Sequence, residues 1–210
     1  MTPVKSEKIL KTLEDFYGEV KADLNFSSIY ELTIAVVLSA QTTDKQVNAV
    51  TGTLFSKYPD FGTLAEARLP DIEKIIKSTG FYHAKANNIL NLAKKVVSDF
   101  KGELPSEMEG LLTLPGVGRK SANVILSIGF GIPGLAVDTH VGRIAKRLGY
   151  TESDAPEKAE KDLCRIIPPE KWRDTHLVFI RHARVTCKAR NPECDKCPVR
   201  RHCLYIRELN

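Results

Sequence analysis

The sequence predicts an all-α protein whose chain breaks into two helical bodies. Three observations carry this. Helix-start signals recur along the chain, apolar residues recur between them at helical spacing, and no pair of alternating apolar and polar runs marks a hairpin of strands. Ser28-Ile-Tyr-Glu31, Thr63-Leu-Ala-Glu66 and Ser106-Glu-Met-Glu109 each fit a capping box, in which a hydroxyl and a carboxylate satisfy free amides at a helix start.

Taken in order, a first helix is predicted over 4–17. Leu32 to Leu38 contains Ile34, Val36 and Val37 and could form a strand, but its capping start and total length favour a buried helix. A helix over 44–57 follows. Pro70 suits the first turn of another that reaches Thr79, where Gly80 ends it. Ile89, Leu90, Ala93, Val96, Val97 and Phe100 mark a helix from His83 to Lys101, with Gly102 as its stop. A short helix at 106–113 and longer ones at 119–130, 139–148, 155–166 and 170–185 complete the prediction. The glycine- and proline-rich Gly129-Phe-Gly-Ile-Pro-Gly134 separates the two bodies, and Pro168-Pro169 is a lesser break.

The 210 residues are enough for one large domain or two small ones, and 42% apolar with 27% charged residues is ordinary for a globular protein. The best membrane candidate, Ile29 to Ala40, carries Glu31 and falls short of the ~20 residues a span requires. Residues 1–10 contain Lys5, Glu7 and Lys8 and no apolar signal core, so a cytoplasmic, nucleoid-associated protein is expected. A net charge of +5 suits a phosphate-bearing partner without deciding for one. Five cysteines, four of them in the last 24 residues, argue against a disulfide scaffold and for a metal site.

The segment Leu114-Pro-Gly-Val-Gly-Arg-Lys-Ser-Ala-Asn-Val-Ile-Leu126 joins two predicted helices by a glycine turn. Gly116 and Gly118 let backbone lie against a phosphate, and the second helix aims free amides and a positive dipole end at the same anion. Such a helix-hairpin-helix grips a DNA backbone without reading bases. A plain turn between packed helices is the other reading. Lys120 sits in the first turn of that helix, where the dipole disfavours a cation and favours the neutral, nucleophilic amine. A solvated or phosphate-gripping lysine is the alternative. Asp138 stands at the start of the helix carrying Ile144, Ala145 and Leu148. It can serve as an N-cap, as a carboxylate facing Lys120, or as both.

Cys187-x6-Cys194-x2-Cys197-x5-Cys203 can wrap one metal centre. Four thiolates suit zinc, but zinc ribbons more often use two Cys-x2-Cys knuckles, and the single wrapped loop fits a four-iron cluster. Lys188, Arg190, Lys196, Arg200, Arg201 and Arg207 surround it, either as a phosphate-gripping patch or as a solvated face. Cys164, beside Leu163 and Ile166, reads as a buried apolar residue.

Together, Leu114-Pro-Gly-Val-Gly-Arg-Lys120, Val137-Asp-Thr-His140, the four-cysteine spacing and Leu38-Ser-Ala-Gln41 resemble, in order, the bacterial endonuclease III family. The resemblance covers essentially the whole chain. It implies an all-α protein of two helical domains with a DNA-binding cleft between them. A central domain would span 22–132 with its helix-hairpin-helix near 107–130. The second would join 1–21 to 133–210 and hold a [4Fe-4S] cluster on the loop 187–203. The implied activity is base-excision repair: Lys120 attacks the sugar C1′, displaces an oxidised or damaged pyrimidine as a Schiff base forms, and β-elimination cuts 3′ to the abasic site. Asp138 takes the essential carboxylate role. The implied partner is double-stranded DNA containing damaged pyrimidines or abasic sites, met by a monomer that binds no membrane. Gln41 would fill the space left by the flipped nucleotide, and Phe81 stands where the family places an apolar wedge. The candidate DNA contacts are Gln41, Phe81, Gly116, Gly118, Arg119, His140, Arg143, Lys188 and Arg190.

Two departures from the family pattern, Asn191 and Ala183, bear on DNA affinity. A mismatch glycosylase without lyase activity is the runner-up, and Lys120 argues against it. A non-catalytic DNA-binding or redox module would need only the hairpin and the cluster.

Overall fold

The computed structural model describes residues 1–209, with side chains through Arg207. Among the described residues there are twelve α-helices and no strand: α1 (Pro3–Tyr17), α2 (Ile29–Leu38), α3 (Asp44–Lys57), α4 (Phe61–Ala65), α5 (Leu69–Ile76), α6 (Tyr82–Phe100), α7 (Met108–Leu112), α8 (Arg119–Val124), α9 (Thr139–Leu148), α10 (Pro156–Cys164), α11 (Trp172–Val185) and α12 (Leu204–Leu209). None is long and apolar enough to cross a membrane. The chain divides into two compact units, Ala22–Ile132 and Met1–Lys21 with Pro133–Asn210.

In the unit 22–132, α2 is the central element. Every residue from Leu32 to Leu38 is buried, and a helix apolar all round belongs inside. The strand alternative fails because Ser28 caps the segment, its Oγ accepting from the Glu31 amide. Leu38 and Ile34 meet Val47, Leu54, Ile72, Ile89 and Val96 from α3, α5 and α6 in one continuous core. In the other unit, Ile9, Leu10 and Leu13 of α1 pack with Val141, Ile144 and Leu148 of α9 and with Val178 and Phe179 of α11.

Several sequence expectations shift. The Ser28 box closes one residue upstream, because the Glu31 carboxylate accepts from the Ser27 amide and hydroxyl instead. Thr63 is not an N-cap: Asp60 caps α4, and Thr63 closes that box from the third position. The 106–113 helix starts later, at Met108, with no side-chain cap. The helix predicted over 119–130 changes pitch at Ile125 into a π-helical turn, Ile125–Phe130, within which Ser127 Oγ donates to the Asn123 carbonyl. Gly129 therefore belongs to that turn, and the break begins at Gly131. The 155–166 and 170–185 helices shorten to α10 and α11, the latter preceded by a 3-10 turn, Pro169–Lys171. Cys164 is half-buried at the edge of its core.

Candidate functional site

The hairpin is anchored from inside. Leu111, Leu114 and Val117 are buried in the core of their unit, and the Val117 amide donates to the Leu114 carbonyl to close the turn. The two glycines have different reasons. Gly116 has φ +80°, and a Cβ there would sit 2.9 Å from Val37 Cγ1 and 3.0 Å from Asn88 Cβ, so α2 and α6 themselves require it. Gly118 has open space around a hypothetical Cβ, so no neighbour in the chain requires its smallness. Gly118 is also the N-cap of α8 and offers no side chain to the first amides of the helix. Arg119 and Lys120 follow at the first two helical positions, both exposed.

Asp138 lies in the other unit. It caps α9: its Oδ1 accepts from the His140 amide at 2.9 Å and from the Val141 amide at 2.8 Å. Both bonds fall on one oxygen, which leaves Oδ2 outside the cap. Asp138, Thr139 and Arg143 line an open cavity with Gly142, Lys146 and Tyr205.

The cluster loop is held by arginines of α9. Arg143, expected as a DNA contact, is half-buried and donates from Nε to the Cys187 carbonyl and from its Nη2 to the Ala183 carbonyl. Its described hydrogen bonds are structural. Arg147, which sequence reasoning passed over, donates to the carbonyls of Lys188 (2.8 Å) and Ala189 (3.2 Å), approaches Cys187 Sγ at 3.2 Å and stacks on the Tyr205 ring. A cation spaced four residues beyond Arg143, on the same helix face, was the available signal.

Cys187, Cys194, Cys197 and Cys203 all line one cavity, closed by Ile144, Leu148 and Ile206. Burial, and then the charges of Cys187, Cys203 and Cys194, push the Cys197 thiol up to about 11; Cys194 is raised by burial and by Cys187 and Cys203. Thiols at Cys194 and Cys197 whose ionisation is opposed in this way suit a cationic core beside them. Donor chemistry and spacing thus fit a polynuclear iron–sulfur cluster. Buried His182 abuts this wall, its Nδ1 2.9 Å from the Tyr17 hydroxyl and its Nε2 3.7 Å from Cys197 Sγ. Burial lowers its pKa to about 4, so the ring is neutral at physiological pH.

Comparison with known proteins decides the family. Residues 34–169 match the HhH-GPD superfamily of base excision DNA repair proteins, and residues 187–203 match the iron-sulfur binding domain of endonuclease III. The chain is 44% identical to endonuclease III of Synechocystis over 95% of its length and 91% of that protein's. It is 38% identical to endonuclease III of Escherichia coli K12 over the full length of both. The chain belongs to the endonuclease III family. A solved structure of a trapped endonuclease III–DNA covalent intermediate superposes with a TM-score of 0.93 at 40% identity, covering 100% of this chain and 99% of that one. As a member of the endonuclease III family, the protein is a base-excision-repair DNA glycosylase and AP lyase acting on damaged DNA, and it carries the family's C-terminal iron–sulfur domain with a [4Fe-4S] cluster.

The remaining candidates divide by unit. Gly116, Gly118, Arg119 and Lys120 share the hairpin; Asp138, His140 and Arg143 share the first turns of α9. Gln41 and Phe81 are both exposed and both left-handed, with φ +53° and +47°. Phe81 is 70% exposed, the most of any large apolar side chain described. A non-glycine residue in this region costs on the order of 1 kcal/mol or more, and such strain concentrates where side chains must be presented. Lys188 pairs with Glu193 at 2.6 Å, while Arg190 is exposed at the tip of the loop.

Proposed function

We propose that this enzyme excises oxidised or otherwise damaged pyrimidines from duplex DNA and then cuts 3′ to the abasic site by β-elimination, with Lys120 as nucleophile and Asp138 as the essential carboxylate. The observation that carries the reading is the exposed Lys120 amine on the uncapped first turn of α8, directly after a glycine whose smallness no neighbour in the chain requires. A phosphate seated against Gly118 and the first amides of α8 would bring backbone, and hence sugar, to that amine.

The chemistry is then short. The neutral Lys120 Nζ forms a bond to C1′ as the base leaves with the bonding electron pair, and loss of a proton from Nζ and opening of the sugar give the Schiff base. Removal of a C2′ proton expels the 3′ phosphate, and water hydrolyses the imine to free the lysine. The unused Oδ2 of Asp138 is available to stabilise positive charge developing on the sugar while Oδ1 holds α9. Gln41 and Phe81 enter the duplex from their strained turns. Arg119, His140, Lys188 and Arg190 supply phosphate contacts, and Arg143 acts through the cluster loop it holds. The [4Fe-4S] cluster would sit on Cys187, Cys194, Cys197 and Cys203 and supply a rigid core for that loop. We expect a monomer that works on DNA in the cytoplasm.

Borohydride trapping on a duplex with one thymine glycol tests this. Wild type should give a covalent adduct and Lys120→Ala none, with lyase activity reduced by at least about a thousandfold. An adduct at wild-type yield in Lys120→Ala would remove Lys120 from the mechanism.

A further inference from the structure

One buried lysine lies outside the site described so far. Lys85, at the fourth position of α6, is 4% exposed, and no carboxylate among the described residues pairs with it. A buried ammonium without a counter-charge is unfavourable, and near a helix N-terminus the dipole makes it more so. Burial correspondingly lowers its pKa below the usual lysine value.

What the ammonium touches explains why it is there. Its Nζ donates to Thr42 Oγ1 and, at 2.8 Å, to the Thr79 carbonyl; Thr42 Oγ1 in turn donates to that same carbonyl. Thr42 directly follows Gln41, and Thr79 lies two residues before Phe81. The Lys85 amide also donates to the Phe81 carbonyl at 3.1 Å. One residue therefore ties together, by side chain and by backbone, the turns that hold the two left-handed, exposed side chains. Gln46 Nε2, donating to Ser78 Oγ at 2.7 Å, braces the same two segments further out.

We propose that Lys85 is a positioning residue for DNA insertion: its bonds to Thr42 and Thr79 fix the separation of Gln41 and Phe81, so that both enter the duplex together. This rests on the reading of those two side chains as the inserted pair. A charged donor suits the task because hydrogen bonds to an ammonium are about twice as strong as neutral ones and, once buried, are not exchanged for water.

The test uses the full-length, cluster-loaded enzyme and a thymine-glycol duplex with 2-aminopurine beside the lesion, which brightens when its stack opens. Gln41→Ala and Phe81→Ala examine the underlying reading alone: both should slow the brightening, and if neither does, the insertion reading fails and the proposal with it. Given that they do, Lys85→Met should slow brightening and single-turnover excision by about tenfold. In the Gln41→Ala/Phe81→Ala background the same change should add less than about twofold, because the parts it aligns are gone. A full tenfold loss there would mean that Lys85 serves the fold in general, and would overturn the proposal while leaving the insertion reading intact. Thr42→Val removes the other end of the tie and should shift brightening in the same direction. If Lys85→Met does not fold, wild-type kinetics in Thr42→Val overturn the proposal.

Discussion

The unit 22–132 and the unit formed by 1–21 with 133–210 hold their helices by different means. In the first, an almost wholly buried helix, α2, is surrounded by aliphatic side chains, and Tyr30 packs edge-on against Phe61 and Phe55. In the second, polar contacts run through the interior. Ser6 bonds Tyr150, Tyr17 bonds His182 and Thr186, His176 meets the Ala136 carbonyl, and Arg143 and Arg147 hold the carbonyls of the cysteine loop. A core whose buried polar groups, Lys85 among them, find their partners within the chain closes on itself. A core wired to a thiol-lined cavity depends on what that cavity is meant to hold, because buried thiols and carbonyls keep their geometry only while satisfied.

The largest expected effect breaks this comparison outright. Stripping the cluster should abolish hydrogen-exchange protection in α9, α11 and 187–203, a loss of at least about 3 kcal/mol, and leave α2 and α6 much less affected. Equal loss in both units would show that their stabilities are not separately sourced.

Core truncation sharpens the same contrast. Leu38→Ala, in the first unit, and Leu148→Ala, on the wall of the cysteine cavity, should each cost about 2–5 kcal/mol in urea unfolding. Cluster removal should leave the Leu38 increment unchanged and shrink the Leu148 increment, since only Leu148 shares its surroundings with the cluster. Unchanged increments at both positions would argue against the coupling.

Alkaline titration reaches the polar interior directly. Burial pushes the Tyr150 phenol up to about 12, partly offset by its bond to Ser6. The folded protein therefore keeps a proton that the unfolded chain loses from about pH 10. That contribution is fully present below pH 10 and is lost as pH rises through 12, a fall of about 2 kcal/mol in unfolding free energy. Tyr150→Phe should flatten the slope in this window; an unchanged slope would assign it elsewhere, to Tyr30 or Tyr17, whose phenols burial also raises.

The smallest effect separates the two duties of Asp138. Asp138→Ala should destabilise by about 1 kcal/mol through the lost cap, and Asp138→Asn by less because an amide oxygen still accepts. Both should depress turnover far more than DNA affinity. Equal losses of turnover and affinity in Asp138→Asn would reduce the residue to a cap.

How much could be read in advance varied with the kind of interaction. Helices α3 and α9 were legible to the residue, since Thr43 and Asp138 are strong N-caps and Gly149 ends the second. The boxes at Ser28 and Thr63 were misplaced because several hydroxyls and carboxylates within one turn compete for the same amides. The π-helical turn after α8 was not visible, for a change of pitch leaves no mark on apolar spacing. Gly116 suits a phosphate contact by residue type, and its packing against Val37 and Asn88, far away in the chain, leaves no mark on local spacing. Lys85 carried no signal at all, because a lysine on an amphipathic helix is ordinarily solvated.

The sequence by itself determined the all-α class and the four-cysteine loop, and its motifs taken together carried the resemblance to the family, since each is written in local spacing and residue type. Only the tertiary structure decided that Arg143 and Arg147 hold the loop, that Asp138 caps with one oxygen, and that Lys85 joins the turns of Gln41 and Phe81. Those facts depend on which distant groups share a buried space. Burial is a property of the packed chain, and it turns an ordinary charge into a structural tie.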